Sequence, residues 1–327
     1  MTKAMTSGNK YNQQFAFIVF CRVIATILIT NTHFNDIYPN ENLAVGGLIG
    51  DMLFFVISGF CLADLHNESF GHWYYKRIIR ILPSVWIFSL IYLCVGDLRI
   101  NSFYGLFSMF IYPTIYHFVG SIMLLYIPFY FIMKYDKLKQ NIPLLLCILT
   151  FAWLLCYFLF FDKSLRLDIA QHQITKFPYF FCMLFGAYMR ENKEKFVDTP
   201  PHLLKWLAVP TSAILYFAGK LVINHFSLDI WQFIIIIFVV CVALAIAIAM
   251  AGAESSFASK DRILKPAKVI APLTLDIYVV QVFIIKRVSS LAFPLNFAVA
   301  TVLIFVVAWC LNKVSKGIVS LLGKIKK

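Results

Sequence analysis

Acidic residues are scarce in this chain: 16 Asp and Glu stand against 29 Lys and Arg, and charged residues make up only 14% of the 327 positions. With 61% of residues hydrophobic, that supply of charge is too thin for a soluble domain, whose surface needs about a quarter of the chain charged. Cysteine is present but has no pattern. Cys21, Cys61, Cys94, Cys147, Cys156, Cys182, Cys241 and Cys310 fall singly in or beside apolar segments, without a C-x-x-C or a metal-ligand spacing. That argues against a disulfide framework or a metal site and makes them small packing residues. A catalytic thiolate at Cys21, next to Arg22, is disfavoured because thiols in apolar surroundings are inert. Also lacking are an internal repeat, a polar linker and a small-residue cleavage site after the first apolar run. That run is therefore expected to remain as a membrane span rather than leave as a signal peptide.

What the chain has is apolar segments near twenty residues, from end to end. The expected fold is an all-α integral membrane protein of about ten transmembrane helices, a single domain over residues 1–327 with a basic tail at about 313–327. The spans read as 15–34, 44–64, 81–98, 117–133, 143–161, 177–190, 203–223, 231–251, 268–286 and 292–312. Residues 101–116 are apolar but broken by Gly105 and Pro113, as an interfacial or re-entrant piece would be. Lys and Arg gather in alternate connections: Lys3 and Lys10, then Lys76 to Arg80, Lys134 to Lys139, Arg190 to Lys195, Lys260 to Lys268, and the tail. The remaining connections hold only Arg99, Lys163, Arg166, Lys176, Lys286 and Arg287. The asymmetry puts both termini in the cytoplasm, at the plasma membrane. It also accounts for the net charge of +13 through topogenic and lipid-facing charges, with no nucleic-acid partner implied.

Polar groups inside these spans are the candidates for chemistry, because an ionisable residue in the bilayer is costly and usually faces protein or water. Arg22 and His33 lie eleven positions apart on the first helix. At 100° per residue they share one face, about 16 Å apart, with Thr26 between them. Either this stripe lines a cleft, or Arg22 snorkels and His33 is interfacial. Asp51, on the second helix, needs a partner, with Arg22 or His33 nearest in the sequence reading. Beside His33 it would orient the ring; beside Arg22 it would neutralise a charge. Ser58 lies seven positions on, along the same face. Arg77 and Arg80 project together from one turn before Pro83, either as a fork for phosphate or as positive-inside anchors. His117 opens the fourth helix as a second imidazole or an interfacial residue. Asp276 either partners Arg22 or marks a proton path. His66, His72, His172, His202 and His225 have no ligand spacing and read as surface residues.

In order, Arg22 and His33, then FFVISGF at 54–60, then Arg77-x-x-Arg80 with Leu82-Pro83, resemble the membrane-bound acyltransferase 3 family, which O-acylates glycans and other acceptors in envelopes. YHFVGSIMLLYIPFY at 116–130, FFCMLFGAYM at 180–189 and LTLDIYVVQ at 273–281 agree more loosely. The chain departs from the family at three places. Val119 or Gly120 stands where a Trp commonly follows the fourth-helix His, Gln281 replaces a late-helix His, and Asp51 is one position early relative to the family's acidic residue.

The resemblance implies transfer of an acetyl or other short acyl group from cytoplasmic acyl-CoA, a co-substrate and not a bound cofactor, to a hydroxyl of a cell-envelope glycan. Arg77, Arg80 and Ser58 would hold the donor, Arg22 would line its path or stabilise the oxyanion, and His33 would be the base, with Asp51 completing the catalytic set. His117, Asp276 and Gln281 would meet the acceptor. A passage would join the inner arginine pair to the outer histidine. A covalent acyl-histidine relay is the variant mechanism. The rival class is a transporter or flippase for a glycan or lipid-linked intermediate, which would also bury Arg, Asp and His.

Overall fold

The first apolar run holds no Gly or Pro, and it forms an uninterrupted helix, α1 (Ala16–Thr32). Its first two N–H groups, on Ala16 and Phe17, are capped by the Glu254 carboxylate at 2.7 Å each. A carboxylate at a helix N-terminus satisfies donors that have no partner within the helix and matches the dipole. This contact also fixes which end of the molecule residue 254 shares with residue 16. A computed structural model describes residues 15–325, apart from His66 and residues 169–171, with side chains as far as Leu322. The expectations on Lys3, Lys10, His66, Lys324, Lys326 and Lys327 lie outside the described residues and side chains.

After α1 come α2 (Gly47–Leu62), α3 (Phe70–Val95), the short α4 (Phe103–Phe110), α5 (His117–Lys134), α6 (Asp136–Gln140) and α7 (Ile142–Phe160). Then follow α8 (Lys176–Glu191), α9 (Lys193–Phe196), α10 (His202–His225), α11 (Gln232–Gly252), α12 (Glu254–Ala258), α13 (Asp261–Ile270), α14 (Thr274–Val288) and α15 (Leu295–Ile325). The long helices run alternately between two ends. At one, the basic end, Lys139 pairs with Glu191 at 2.9 Å and the Asp198 carboxylate accepts from the Ser255 N–H at 2.6 Å. At the other, the histidine end, Arg287 pairs with Asp97 at 2.9 Å and Lys220 with Asp168 at 2.7 Å.

Among the described residues nine helical stretches are long and apolar enough to cross a membrane. The tenth expected span is α8, with 16 residues, which at 1.5 Å per residue covers about 24 Å. It is packed between other helices and has less lipid to span. Three boundaries differ from the sequence reading. The third span begins at Phe70, not near 81, so Arg77 and Arg80 stand on α3 itself; Pro83 sits inside that helix and does not mark its start. The basic connection before the ninth span is helical, giving one stretch, Asp261–Val288. The expected tail continues α15 to Ile325; residues 313–325 hold no proline, and Gly317 and Gly323 are accommodated within the helix. Residues 103–110 are a surface helix with Phe103 and Tyr104 exposed, pinned where the Trp86 indole donates to the Phe110 carbonyl at 2.6 Å. On α7, Leu144, Ile148, Phe151, Leu155 and Leu159 recur at helical spacing and are all exposed, a lipid-facing stripe.

The core is organised around α2, which touches α1 and α8 backbone to backbone. A Cβ placed on Gly59 would lie 1.8 Å from the Met183 carbonyl oxygen, and one on Gly186 would lie 2.0 Å from that of Val56. On the side towards α1, a Cβ on Gly50 would meet the Ala25 carbonyl oxygen at 2.7 Å. Small residues at such crossings let membrane helices gain contact that side chains would block. Gly59→Ala is expected to lower the stability of the purified protein by about 1–3 kcal/mol, seen as a reduced Tm in detergent. Gly71→Ala, with nothing within 4 Å of the added methyl, is expected to leave Tm unchanged.

Candidate active site

The outward face of α1 is marked by Ile27, which is 60% exposed. By helical geometry Arg22 and His33 point about 140° and 120° away from it. Both are only partly exposed, and both look into the bundle. Thr26, Thr30, Phe54, Tyr278 and Gln281 surround a cavity of about 10 Å³ between the two charges, room for a single water. This cavity is too small to be the open passage expected from the sequence. Aromatic rings pack beside it: Phe55 stacks on Tyr179 at 4.6 Å, and Phe118 meets Phe55 at 5.3 Å and Tyr278 at 5.6 Å.

At the basic end Arg22 reaches α2, its guanidinium 4.0 Å from the Cys61 thiol. Neither Asp51 nor Asp276 is its partner. Tyr126 and Ser58 are neighbours here, and both Arg22 and Arg77 bear on that tyrosine electrostatically. Arg77 lies over the Trp73 ring at 4.6 Å, donates to the Trp73 carbonyl at 3.0 Å and stands 3.6 Å from Glu68. Arg80 is exposed and close enough to act on Arg77. Arg190, which the sequence reading took only as a topogenic charge, stacks over Phe60 at 5.3 Å and is the next cation around Cys61. Arg22, Arg77, Arg80 and Arg190 therefore share this end, with Glu68 beside Arg77. Lys76, donating to Glu68 at 2.7 Å, holds that carboxyl below the usual carboxylate range. Beside them a groove of about 720 Å³ opens at this end, lined by Asp64, Glu68, Lys134, Asp136 and Lys139 among others.

Asp51 is only 4% exposed, and its environment corrects the sequence reading. It pairs with neither Arg22 nor His33. The Tyr179 hydroxyl donates to Asp51 Oδ2 at 3.1 Å, and His117 Nε2 lies 3.8 Å from the same oxygen and 3.3 Å from the Tyr179 oxygen. A phenol that gives its proton to Asp51 can only accept from the imidazole. His117 therefore carries hydrogen on Nε2 and keeps the Nδ1 lone pair free while the ring is neutral. The second carboxylate oxygen, Oδ1, has no hydrogen-bond partner, an expensive state for a buried acceptor. Tyr179 was missed because a tyrosine in the run FPYFF reads as one more interfacial aromatic. The signal available was Asp51 itself, which had to find a donor. His33 is among the groups whose charge bears on His117, so the two imidazoles belong to one end and one neighbourhood.

Asp276 accepts from Ser84 Oγ at 2.7 Å and Asn312 Nδ2 at 2.6 Å, joining α3, α14 and α15. That explains a carboxylate there as a clasp between helices, and the expected tie to Arg22 is absent. Gln281 accepts from Thr30 Oγ1 at 2.8 Å, while its Nε2 has no partner. Its contact is thus to the α1 stripe. His172, read from the sequence as a surface residue, lines an outer pocket together with His117.

The profile of a family described as "Acyltransferase domain" matches residues 15–313. No curated protein and no solved structure matches the chain. Replacing Tyr179 with Phe leaves Asp51 without its donor, and is expected to cost about 1–3 kcal/mol in a thermal-denaturation series. Tyr179→Phe combined with Asp51→Leu is expected to recover part of that loss, since no buried acceptor is then stranded.

Proposed function

The chain belongs to the acyltransferase 3 family, and from that premise we propose that it moves an acetyl or other short acyl group from acyl-CoA onto a hydroxyl of a cell-envelope glycan. The observation that carries this reading is the inward-turned stripe of Arg22 and His33, with arginines gathered at one end of it and a second imidazole at the other. The basic end faces the cytoplasm, as the distribution of Lys and Arg favours, and so do both termini, in the plasma membrane. Acyl-CoA enters there. Arg77 and Arg80 engage its phosphates, since guanidinium forks suit phosphate oxygens; Ser58, next to Tyr126, lies beside the same path. The closed segment between Arg22 and His33 opens to admit the pantetheine arm, a displacement of Phe54 and Tyr278 side chains.

The acceptor arrives at the histidine end. His33 takes the proton of the acceptor hydroxyl as its oxygen bonds to the thioester carbonyl carbon. A polar group beside His33 steadies the carbonyl oxygen as it gains charge, while Arg22, at the basic end, lines the donor's path. The carbon–sulfur bond then breaks, and the CoA thiolate leaves, taking up the proton that His33 removed from the hydroxyl. A hydroxyl is a poor nucleophile at neutral pH, so a positioned base contributes about 10²–10⁴-fold. Asp51 acts at one remove, holding His117 through Tyr179, and Gln281 orients Thr30 on the same stripe.

His33→Ala and Arg22→Ala are each expected to cut transfer of label from acyl-CoA to glycan by about a hundredfold or more. Both variants should be recovered folded from the membrane, judged by gel filtration. A wild-type rate in His33→Ala would remove the base assignment.

A further inference from the structure

The histidine end holds a pocket of about 350 Å³ that neither the donor path nor the base explains. Tyr112, Thr114, His117, Ser121, His172 and Lys176 are among its lining residues, and no carboxylate is. Its one permanent charge is Lys176. Of the other cations at this end, Arg166 and Lys220 are neutralised by Asp168 at 3.0 Å and 2.7 Å and Arg287 by Asp97 at 2.9 Å; Arg99 and Lys286 are exposed, Lys163 donates to the Phe158 carbonyl, and none of the three lines the pocket. Among the described residues Lys176 joins no ion pair, and its hydrogen bond goes to the neutral Gln173 side chain. Its charge also bears directly on His117. A cation left uncompensated in a concave site, flanked by hydroxyls and two imidazoles, is built to meet an anion.

We propose that this pocket receives an acidic acceptor, a glycan unit carrying a carboxylate or phosphate. Lys176 holds the anionic group, and the adjoining hydroxyl is presented to the imidazoles. The proposal rests on the transferase reading above and deepens it by naming the acceptor class. The hydroxyls of Thr114, Ser121 and Tyr112 suit sugar hydroxyls, and His172, braced edge-on against Phe161 at 5.3 Å, limits the pocket on the far side. Lys176 also departs from the charge pattern of the sequence, which keeps most cations at the opposite end.

The test is binding to the full chain purified in zwitterionic detergent, measured by thermophoresis without acyl-CoA. The probes are a glucuronate-containing tetrasaccharide against its carboxyl-reduced counterpart, and a glycerol-phosphate oligomer against an uncharged glycerol oligomer. One charge-assisted contact predicts roughly tenfold tighter binding of at least one acidic probe than of its neutral mate. The identity of that probe distinguishes carboxylate from phosphate. The preference should shrink with salt, disappear in Lys176→Gln and persist in Lys176→Arg. Equal binding within each pair, no binding of any probe, or a preference surviving in Lys176→Gln overturns the proposal. A preference that behaves as expected, in protein that transfers no acyl group to the bound probe, keeps the anion site and contradicts the transferase reading instead.

Discussion

The contact on which the rest depends is the backbone-level crossing of α2 with its two neighbours. Gly59 and Gly186 bring α2 and α8 so close that neither position has room for a methyl group, and Gly50 does the same towards α1. In lipid there is no hydrophobic drive to join apolar helices, so association relies on this kind of close packing. Once α1, α2 and α8 are locked together, Asp51 must lie beside Tyr179, and Arg22 must lie beside Cys61. Polar groups that would be ruinous in hydrocarbon are thereby placed where other polar groups already are.

Two polar assemblies result, one towards each end, joined by the stripe of α1. At the basic end, Arg22 lies by Cys61, Arg77 over Trp73 beside Glu68, and Arg190 over Phe60. At the histidine end, the Asp51–Tyr179–His117 chain fixes an imidazole in one tautomer. Between them the aromatic packing of Phe54, Phe55 and Phe118 leaves a void fit for one water. The exposed apolar stripe on α7 plays no part in this chemistry and serves as a lipid boundary.

Much of this was legible in the sequence because the bilayer imposes length and polarity rules that are readable residue by residue. The spans and the shared face of Arg22 and His33 follow from periodicity and from the cost of buried charge. Partnerships between distant segments were not legible. Asp51 was assigned to its neighbour in sequence, α1, whereas its donor comes from residue 179, brought close only by the glycine crossing. Asp276 found Ser84 and Asn312 for the same reason. Arg190 and Lys176 looked like ordinary terminal charges, since nothing in a one-dimensional pattern tells which cations lack a counter-charge. The start of α3 was misjudged because Arg77 and Arg80 resemble a loop by charge, although Phe70 to Leu82 contains no residue that stops a helix.

The account stands or falls on whether the acyl group travels along the inward face of α1. The most direct measurement is photocrosslinking with an acyl-CoA whose short acyl chain ends in a diazirine, applied to the protein in nanodiscs and mapped by mass spectrometry. The account predicts adducts on Thr26, Thr30 or His33, and on Phe54 or Tyr278 across the closed segment. Adducts confined to the groove lined by Glu68 and Lys134, or falling on lipid-facing positions such as Ile27, would contradict it.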